Sequence, residues 1–364
     1  MKILHIINSL KGGGAEKLVL DLHKMSLENG IDSHALSLMS LPNECLENTY
    51  ALNFKNPYRI QVLFKLYDFL SAPEWKDLDI IHVHLFPSQL YTPIISSILS
   101  LKAYFVTTEH STYNSRRGIW YGRLIDKFFY DHYRKIICIS MGTSESLLQS
   151  QPQLNEKIVV IYNGVDIKRY SLSTISFPKE KTLVILSVGR LVSVKNYETA
   201  IRALNRISTH NFEYWIVGSG VLEPHLKRLV NELNLEYKVK FLGFREDIPE
   251  LLNQSDIFLI TSSWEGFGIA VVEAMAASLP VVVSNVSGLR EVVLDDFTEI
   301  PKTGFLIDPK SEDDIATCLS KLLADARLRM EMGRNAHIRS LEFDIQKTFD
   351  QHLELYQSLL ENTQ

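Results

Sequence analysis

Cysteine is scarce: Cys45, Cys138 and Cys318 stand far apart in 364 residues. An odd, scattered set builds neither a disulfide framework nor a zinc site, both of which need paired or clustered thiols. Long apolar runs are missing too. No uncharged stretch reaches the about 18 residues of a membrane-spanning helix. The apolar start, MKILHIIN, runs straight into a glycine loop, so it reads as a strand and not as a secretory leader. A reducing cytoplasm is the expected setting. Positive charge is not in excess. Lys and Arg number 38 against 43 Asp and Glu, a net charge of -5, whereas a general nucleic-acid binder is basic. Short-period repeats and low-complexity tracts are absent. What is there is apolar: 46% of the chain, with 22% charged, enough for substantial cores. The length points to two domains.

The most informative stretch is residues 261–291, TSSWEGFGIAVVEAMAASLPVVVSNVSGLRE. An apolar run from Asp256 to Ile260 leads into it. The turn Glu265-Gly266-Phe267-Gly268 follows. Ile269, Val272, Ala276 and Ala277 then recur at helical spacing until Pro280 stops the helix. Val281 to Val283 reads as a buried strand. A strand, glycine turn and helix aim free backbone N–H groups and a helix N-terminus above the sheet, a place suited to a diphosphate. Glu265 and Glu273 frame the helix. At about 1.5 Å per residue they lie roughly 12 Å apart along its axis, beyond the about 5–9.5 Å of a glycosidase pair. They suit opposite ends of one extended ligand.

Similar units recur along the chain. Ile3 to Ile7 reads as a strand and runs into Lys11-Gly12-Gly13-Gly14-Ala15-Glu16, ahead of a helix with Leu18, Leu22 and Met25 on one face. Residues 34–39 read as a second strand and 40–78 as irregular, with a patch of Phe54, Lys55, Tyr58, Arg59, Phe64, Lys65 and Tyr67. Asp77-Leu78-Asp79 has the D-x-D form of a metal site, but it precedes a strand, and we reject it. Strand 104–108 ends in Glu109-His110, which places His110 at the carboxyl edge where ligands bind in parallel sheets. His82 and His84 read as strand and loop residues, His84 with a possible place on the acceptor side. Residues 115–135 mix Arg116, Arg117, Arg123 and Lys127 with Trp120, Tyr121, Phe128 and Phe129. That mixture fits an anionic membrane surface, an anionic acceptor, or an ordinary helix with bases in water. After strand 182–188, Arg190 and Lys195 stand in a loop before a helix, a fork and a point charge able to grip a diphosphate. A last helix spans about 345–361 with Phe349, Leu353, Tyr356 and Leu360 on one face.

Four strings carry a family resemblance. EGFGIAVVE, an E-x7-E pattern, the GGGAE loop, GRL-x3-KN and NGVD at 163–166 resemble the motifs of retaining glycosyltransferases of family 4. The resemblance covers nearly the whole chain. It implies an α/β fold of the GT-B type, with two facing doubly wound, Rossmann-like domains and a deep cleft. Residues 1–166 would form the acceptor-side domain, joined by the helix 345–364. Residues 182–344 would bind the nucleotide sugar, with 167–181 as linker.

The same resemblance implies roles. Glu265 and His110 act at the sugar. Arg190, Lys195, Gly13, Gly14, Phe267, Gly268 and Ile269 hold the diphosphate. Glu273 holds the ribose, and the backbone at Phe244 and Arg245 meets the base. No metal and no cofactor is expected, since the cations and the helix N-terminus meet the leaving charge. The expected activity moves a sugar from a nucleotide diphosphate sugar, UDP favoured over GDP, to a glycan acceptor. That acceptor would be lipid-linked, at the inner face of a bacterial membrane, in O-antigen, capsule or lipopolysaccharide synthesis. Two rivals stay open: a sugar-nucleotide epimerase of the same fold, and a non-catalytic nucleotide-sugar-binding protein.

Overall fold

A computed structural model of the protein describes residues 1–42, 45–171, 182–295 and 302–361. The chain divides into two compact units: Met1–Gly164 with Ile345–Gln364, and Val165–Asp344.

The first unit holds β1 (Lys2–Ile7), α1 (Gly14–Glu28), β2 (Asp32–Met39), β3 (Thr49–Phe54), α2 (Gln61–Leu70) and β4 (Ile80–His84). α3 (Ser88–Leu99), β5 (Tyr104–Glu109), α4 (Trp120–His132), β6 (Lys135–Cys138), α5 (Met141–Ser150) and β7 (Ile158–Val160) follow. The seven strands form one sheet in the order β3-β2-β1-β4-β5-β6-β7, and every pairing is parallel. Parallel strands need covered faces, and alternation along each strand sorts side chains between the two layers. Leu4, Ile6, Ile81 and Val83 share a core with Val62, Leu66 and Leu70 of α2, Ile95 of α3 and Phe129 of α4. The alternate residues Ile3, Ile80, Val106 and Ile137 face Tyr356 and Leu359 of a helix from the far end of the chain.

That far helix returns to this unit, as expected. Its buried face differs from the expected one. It carries Phe349, His352, Tyr356 and Leu359, whereas Leu353 and Leu360 are only half buried. Both sets keep the helical period of about 3.6 residues; the buried stripe is turned toward His352, a ring that counting apolar residues passes over.

The segment 40–78 is a second correction, since it holds β3 and α2. Val62, Leu66 and Leu70 of α2 are buried four apart, while Phe64 and Tyr67 lie outside. Aromatic residues on the outer face hide the helical period. β3 is a half-buried edge strand, and pairing with β2 decides it more than its composition does.

The second unit holds α6 (Ile167–Tyr170), β8 (Leu183–Val188), α7 (Tyr197–Arg206), β9 (Phe212–Val217), α8 (Glu223–Glu232), β10 (Val239–Gly243) and α9 (Ile248–Asn253). β11 (Ile257–Ile260), α10 (Ile269–Ala276), β12 (Val281–Ser284), α11 (Leu289–Val292), β13 (Gly304–Ile307), α12 (Glu312–Ala324) and α13 (Ala326–Ser340) complete it. α14 (Ile345–Glu361) is the helix that rejoins the first unit. The second sheet has six parallel strands in the order β10-β9-β8-β11-β12-β13.

The expected linker 167–181 begins instead with α6, whose Ile167 and Tyr170 are buried; residues 172–181 lie outside the described ones. α10 begins only at Ile269, so Glu265 lies in the preceding turn and the 12 Å helical spacing does not apply. Among the described residues no helix is long and apolar enough to cross a membrane.

Candidate functional site

In the second unit the strand order reverses between β8 and β11. At such a switch point the loops leaving the two strands diverge and open a crevice. The loop after β8 is Gly189–Asn196, and the loop after β11 is Thr261–Gly268. Their backbones are tied. The Ser263 N–H donates to the Val194 carbonyl at 2.8 Å. The Thr261 hydroxyl lies 3.1 and 3.0 Å from the carbonyls of Lys195 and Asn196. This brings two expected site residues together. The Lys195 ammonium donates to both oxygens of Glu265, at 2.8 and 3.0 Å. Each side chain is 18% exposed, so the pair is partly shielded. Arg190, in the same loop, is exposed and forms no ion pair among the described residues.

Two glycines shape the turn beside that pair. Gly268 has φ 93 and caps α10; a Cβ there would lie 2.4 Å from Leu289 Cδ2. Gly288 has φ 88, and a Cβ would lie 2.7 Å from the carbonyl oxygen of Gly266. Both positions therefore exclude side chains for reasons of conformation and space. The N–H groups of Ile269 and Ala270 open α10 with no carbonyl one turn back in the helix to accept them, whereas those of Val271 and Val272 bond to the Gly268 carbonyl at 2.9 and 3.3 Å. The Phe267 side chain is buried, its ring edge-to-face with that of Phe343, centroids 5.4 Å apart.

Glu273 is buried in α10 and accepts from the Tyr170 hydroxyl at 2.7 Å. Phe244 is 68% exposed. Arg245 is exposed as well and already forks onto Asp247.

In the first unit Gly13 caps α1, and Gly14 is its first residue. A Cβ on Gly13 would lie 2.3 Å from a carboxylate oxygen of Glu16. The expected phosphate seat thus has the chain's own carboxylate lying over it. Asp79, from the rejected D-x-D string, accepts from the Lys2 backbone N–H at 2.7 Å and serves structure.

The basic run at 115–135 is only partly a surface. Arg117 is buried and donates to Glu109 at 2.7 Å, and Arg116 pairs at 3.2 Å with the fully buried Asp126. Glu109 also accepts from Tyr130 at 2.5 Å and Gln89 at 2.8 Å. Burial alone would raise its carboxyl, but Arg117, Tyr130 and Gln89 outweigh burial and hold it below the usual range.

His110 follows β5 as expected, with its Nε2 3.2 Å from Nδ1 of His84. His84 is the last residue of β4 and fully buried, so His82 and His84 are strand residues as read, and the alternative place for His84 on the acceptor side is not supported. It belongs to a cluster that sequence reasoning missed. His5 and His82 are register partners on β1 and β4, and both rings lie on the α14 side of the sheet with His352. Burial pushes His5 down to about 3 and His110 and His352 to about 4, and drives His82 and His84 well below 6.5.

Ring nitrogens of His5, His82 and His84 lie within 4.8 Å of one another, close enough to raise the question of a metal. His82, however, has Tyr356 at 2.6 Å on one nitrogen and Thr108 at 2.7 Å on the other. Binding a metal there would mean giving up one of these bonds, and we assign none. The alternation I-H-V-H was the available signal; it shows one shared face, not which strand lies beside it.

Known proteins match both halves of the chain. The model of Glycosyltransferase Family 4 matches residues 12–169, and that of Glycosyl transferases group 1 matches 171–339. An uncharacterised glycosyltransferase of Methanocaldococcus jannaschii is 31% identical over 277 residues, covering 71% of this chain and 69% of that protein. The UDP-Gal:alpha-D-GlcNAc-diphosphoundecaprenol alpha-1,3-galactosyltransferase of Escherichia coli is 28% identical over 320 residues, covering 82% and 80%. The crystal structure of Anabaena HepE in complex with UDP-glucose has a TM-score of 0.83 at 24% identity, covering 98% of this chain and 100% of that one. That likeness is one of fold, the GT-B arrangement that the motifs imply.

Proposed function

The chain belongs to the glycosyltransferases of family 4 and group 1, and from that premise we propose a retaining, metal-independent transfer from a UDP-sugar to a lipid-linked glycan. The observation that carries the reading is the Lys195–Glu265 pair at the switch point, beside the N-terminus of α10.

The reaction breaks an anomeric C–O bond, and the electron pair leaves with the diphosphate. The negative charge that then grows is assigned to Arg190, Lys195 and the N–H groups from Phe267 to Ile269. Charge-assisted donors fixed in advance stabilise such a leaving group without moving. Glu265 holds the Lys195 ammonium in place and takes sugar hydroxyls. Glu273 takes the ribose hydroxyls, with Tyr170 steadying its other oxygen. The base is assigned to the backbone at Phe244 and Arg245. On the first unit, His110 is assigned a sugar or acceptor hydroxyl, and Gly13 and Gly14 the phosphates once Glu16 withdraws. The acceptor oxygen attacks the face that the diphosphate leaves, and its proton passes to the departing phosphate oxygen.

UDP is favoured because the E. coli relative is named for a UDP-Gal donor and HepE was solved with UDP-glucose. A thermal-shift panel of UDP, GDP, ADP and their sugar conjugates, with and without EDTA, checks this. At 100 times Kd the midpoint is expected to rise about 5–10 °C with UDP ligands, unchanged by EDTA. No shift with any nucleotide would remove the reading.

The acceptor class rests on the same relative's diphosphoundecaprenol substrate and on a surface of the first unit. Ile60 (59% exposed), Phe64 (68%) and Tyr67 (40%) follow one another along α2, and Trp120 (75%), Leu124 (59%) and Phe128 (49%) along α4. Both helices pack against α3. Exposed Lys65 and Lys127 accompany them. Two apolar stripes on helices that also carry exposed bases suit the surface of an anionic bilayer, at the inner face of a bacterial membrane during surface-glycan assembly. Arg116 and Arg117 take no part, since both are held in the Glu109–Asp126 cluster. Pelleting with anionic liposomes at low salt is therefore expected, and the triple variant Trp120→Ser, Leu124→Ser, Phe128→Ser is expected to stay in solution. Equal pelleting of the two would refute the surface.

A further inference from the structure

Between β3 and α2 the chain is basic and has no acid to balance it. No acidic residue stands between Glu47 and Asp68, while Lys55, Arg59 and Lys65 fall inside that stretch. Lys55 and Arg59 are exposed, and neither forms an ion pair or a side-chain hydrogen bond among the described residues. That sets them apart from Arg116 and Arg117, whose charges Asp126 and Glu109 already meet. The turn itself is shaped locally. The Asn56 side chain accepts from the Tyr58 N–H at 2.9 Å, and Pro57 fixes the backbone between them. Lys55 and Arg59 therefore flank one tight turn.

The sheet decides where that turn lies. Its strands all run parallel, so the loops after β1, β3, β4 and β5 leave by the same edge. They meet at Phe86. Asn8, after β1, donates its side-chain amide to the Phe86 carbonyl at 2.7 Å. The Tyr58 hydroxyl, after β3, lies 3.5 Å from the same oxygen, and the Tyr58 and Phe86 rings are 6.2 Å apart. The Arg116 guanidinium, after β5, sits 3.7 Å from the centre of the Phe86 ring. The turn 55–59 is thus on the rim of the carboxyl edge, where ligands of parallel sheets bind. On its other side α2 begins, and the exposed stripe of Ile60, Phe64 and Tyr67 runs along that helix away from the turn.

An apolar stripe, two unpaired bases and a ligand edge follow one another. An isoprenoid-linked glycan has the same order: an apolar tail, a diphosphate and a sugar. We propose that Lys55 and Arg59 hold the diphosphate of an isoprenoid-linked acceptor. Arg59 brings a fork and Lys55 a point charge to the anionic oxygens. The tail lies along α2, and the sugar reaches toward the rim at Phe86. These bases are separate from Arg190 and Lys195, which are assigned to the donor diphosphate. The inference rests on the reading of the acceptor as lipid-linked.

Calorimetry with farnesyl diphosphate, a soluble isoprenyl diphosphate, tests it, with UDP in excess to keep the probe from the donor site. The wild type is expected to bind this probe more tightly than farnesol or inorganic diphosphate, each of which has only one of the two parts. An exposed base beside an anionic headgroup is worth about fivefold, so the double variant Lys55→Ala, Arg59→Ala should raise Kd about 25-fold. The exchange Lys55→Arg, Arg59→Lys keeps both charges and should stay within about fivefold of the wild type. The melting shift caused by UDP should be the same in all three proteins.

Equal Kd in the wild type and the alanine variant would overturn the proposal and leave the lipid-linked reading standing. If that variant also stops pelleting with anionic liposomes, the bases serve the charge of the bilayer instead. Inorganic diphosphate bound as tightly as the farnesyl ester would make this a site for a free anion and would overturn the proposal as well. No binding of the probe by either protein, with the UDP shift intact, would remove the lipid-linked acceptor and the inference with it.

Discussion

Replacing Lys195 by alanine is expected to lower kcat/KM by about 10²–10³-fold, the usual cost of one preorganised donor to a developing anion. Glu265→Gln should cost a similar factor, although its charge has the opposite sign. The reason is their contact. The two side chains bond in bidentate fashion in a partly shielded place. Without Glu265 the ammonium loses the group that aims it; without Lys195 the carboxylate stands beside the leaving diphosphate with nothing to balance it.

Residues that act as one unit do not add. The double variant Lys195→Ala, Glu265→Gln should therefore lose little more than either single one. Steady-state UDP release in the presence of acceptor measures all three, with the melting midpoint as control. Multiplying effects would show that the two act separately. Unchanged turnover in the double variant would refute the mechanism. Arg190, exposed and unpaired, should matter less than Lys195.

Acidification from pH 7 to pH 5 is expected to destabilise the first unit far more than the second. His5, His82, His84, His110 and His352 are all held neutral in the fold, with His5 near 3 and His110 and His352 near 4. The unfolded chain takes up those protons from about pH 6.5, while in the fold His110 and His352 resist until about 4, His5 until about 3, and His82 and His84 to well below 6.5. Below 6.5 the unfolded state binds more protons, so stability rises with pH across this window and is lost as pH falls through it. Each group contributes up to about 1.4 kcal/mol per pH unit, and a typical domain has only about 5–15 kcal/mol in all.

The second unit's histidines, His210, His225 and His337, are half buried or exposed. Calorimetric scans from pH 8 to 5 should then show one transition moving down steeply while the other stays. His5→Leu replaces a buried ring whose nitrogens have no partner. It should raise the first transition more at pH 5 than at pH 8. Parallel movement of both transitions, or no gain from His5→Leu at low pH, would refute the account.

The local backbone geometry around the candidate site was legible in the sequence. Glycine turns after strands, Pro280 after a helix and the spacing of Arg190 and Lys195 are short-range signals, and they stand where the pattern put them. Contacts that depend on strand order were not legible. Lys195 and Glu265 are 70 residues apart, and only the reversal between β8 and β11 makes them neighbours. The same holds for His5 beside His82, which need β1 next to β4. Tyr170 on Glu273 and Arg117 on Glu109 are side-chain meetings that no periodicity announces. β3 and α2 were missed for a different reason. Phe64 and Tyr67 of α2 face outward, so apolarity stopped marking the inside there, and β3 is a half-buried edge strand without a clean alternation.

The return of α14 has a consequence for synthesis. The face of the first sheet that carries Ile3, Ile80 and Val106 is covered by Tyr356 and Leu359, and Leu18 and Leu22 of α1 by Ile345 and Phe349. Those covering residues leave the ribosome only after the whole second unit, which at roughly 5–20 residues per second means a wait on the order of ten seconds or more. The second unit has no such wait, because its two ends, Val165 and Asp344, pair directly with each other. A nascent chain at that moment carries one finished body and one bare, water-exposed sheet face. That face is the surface a chaperone would hold until the last helix arrives.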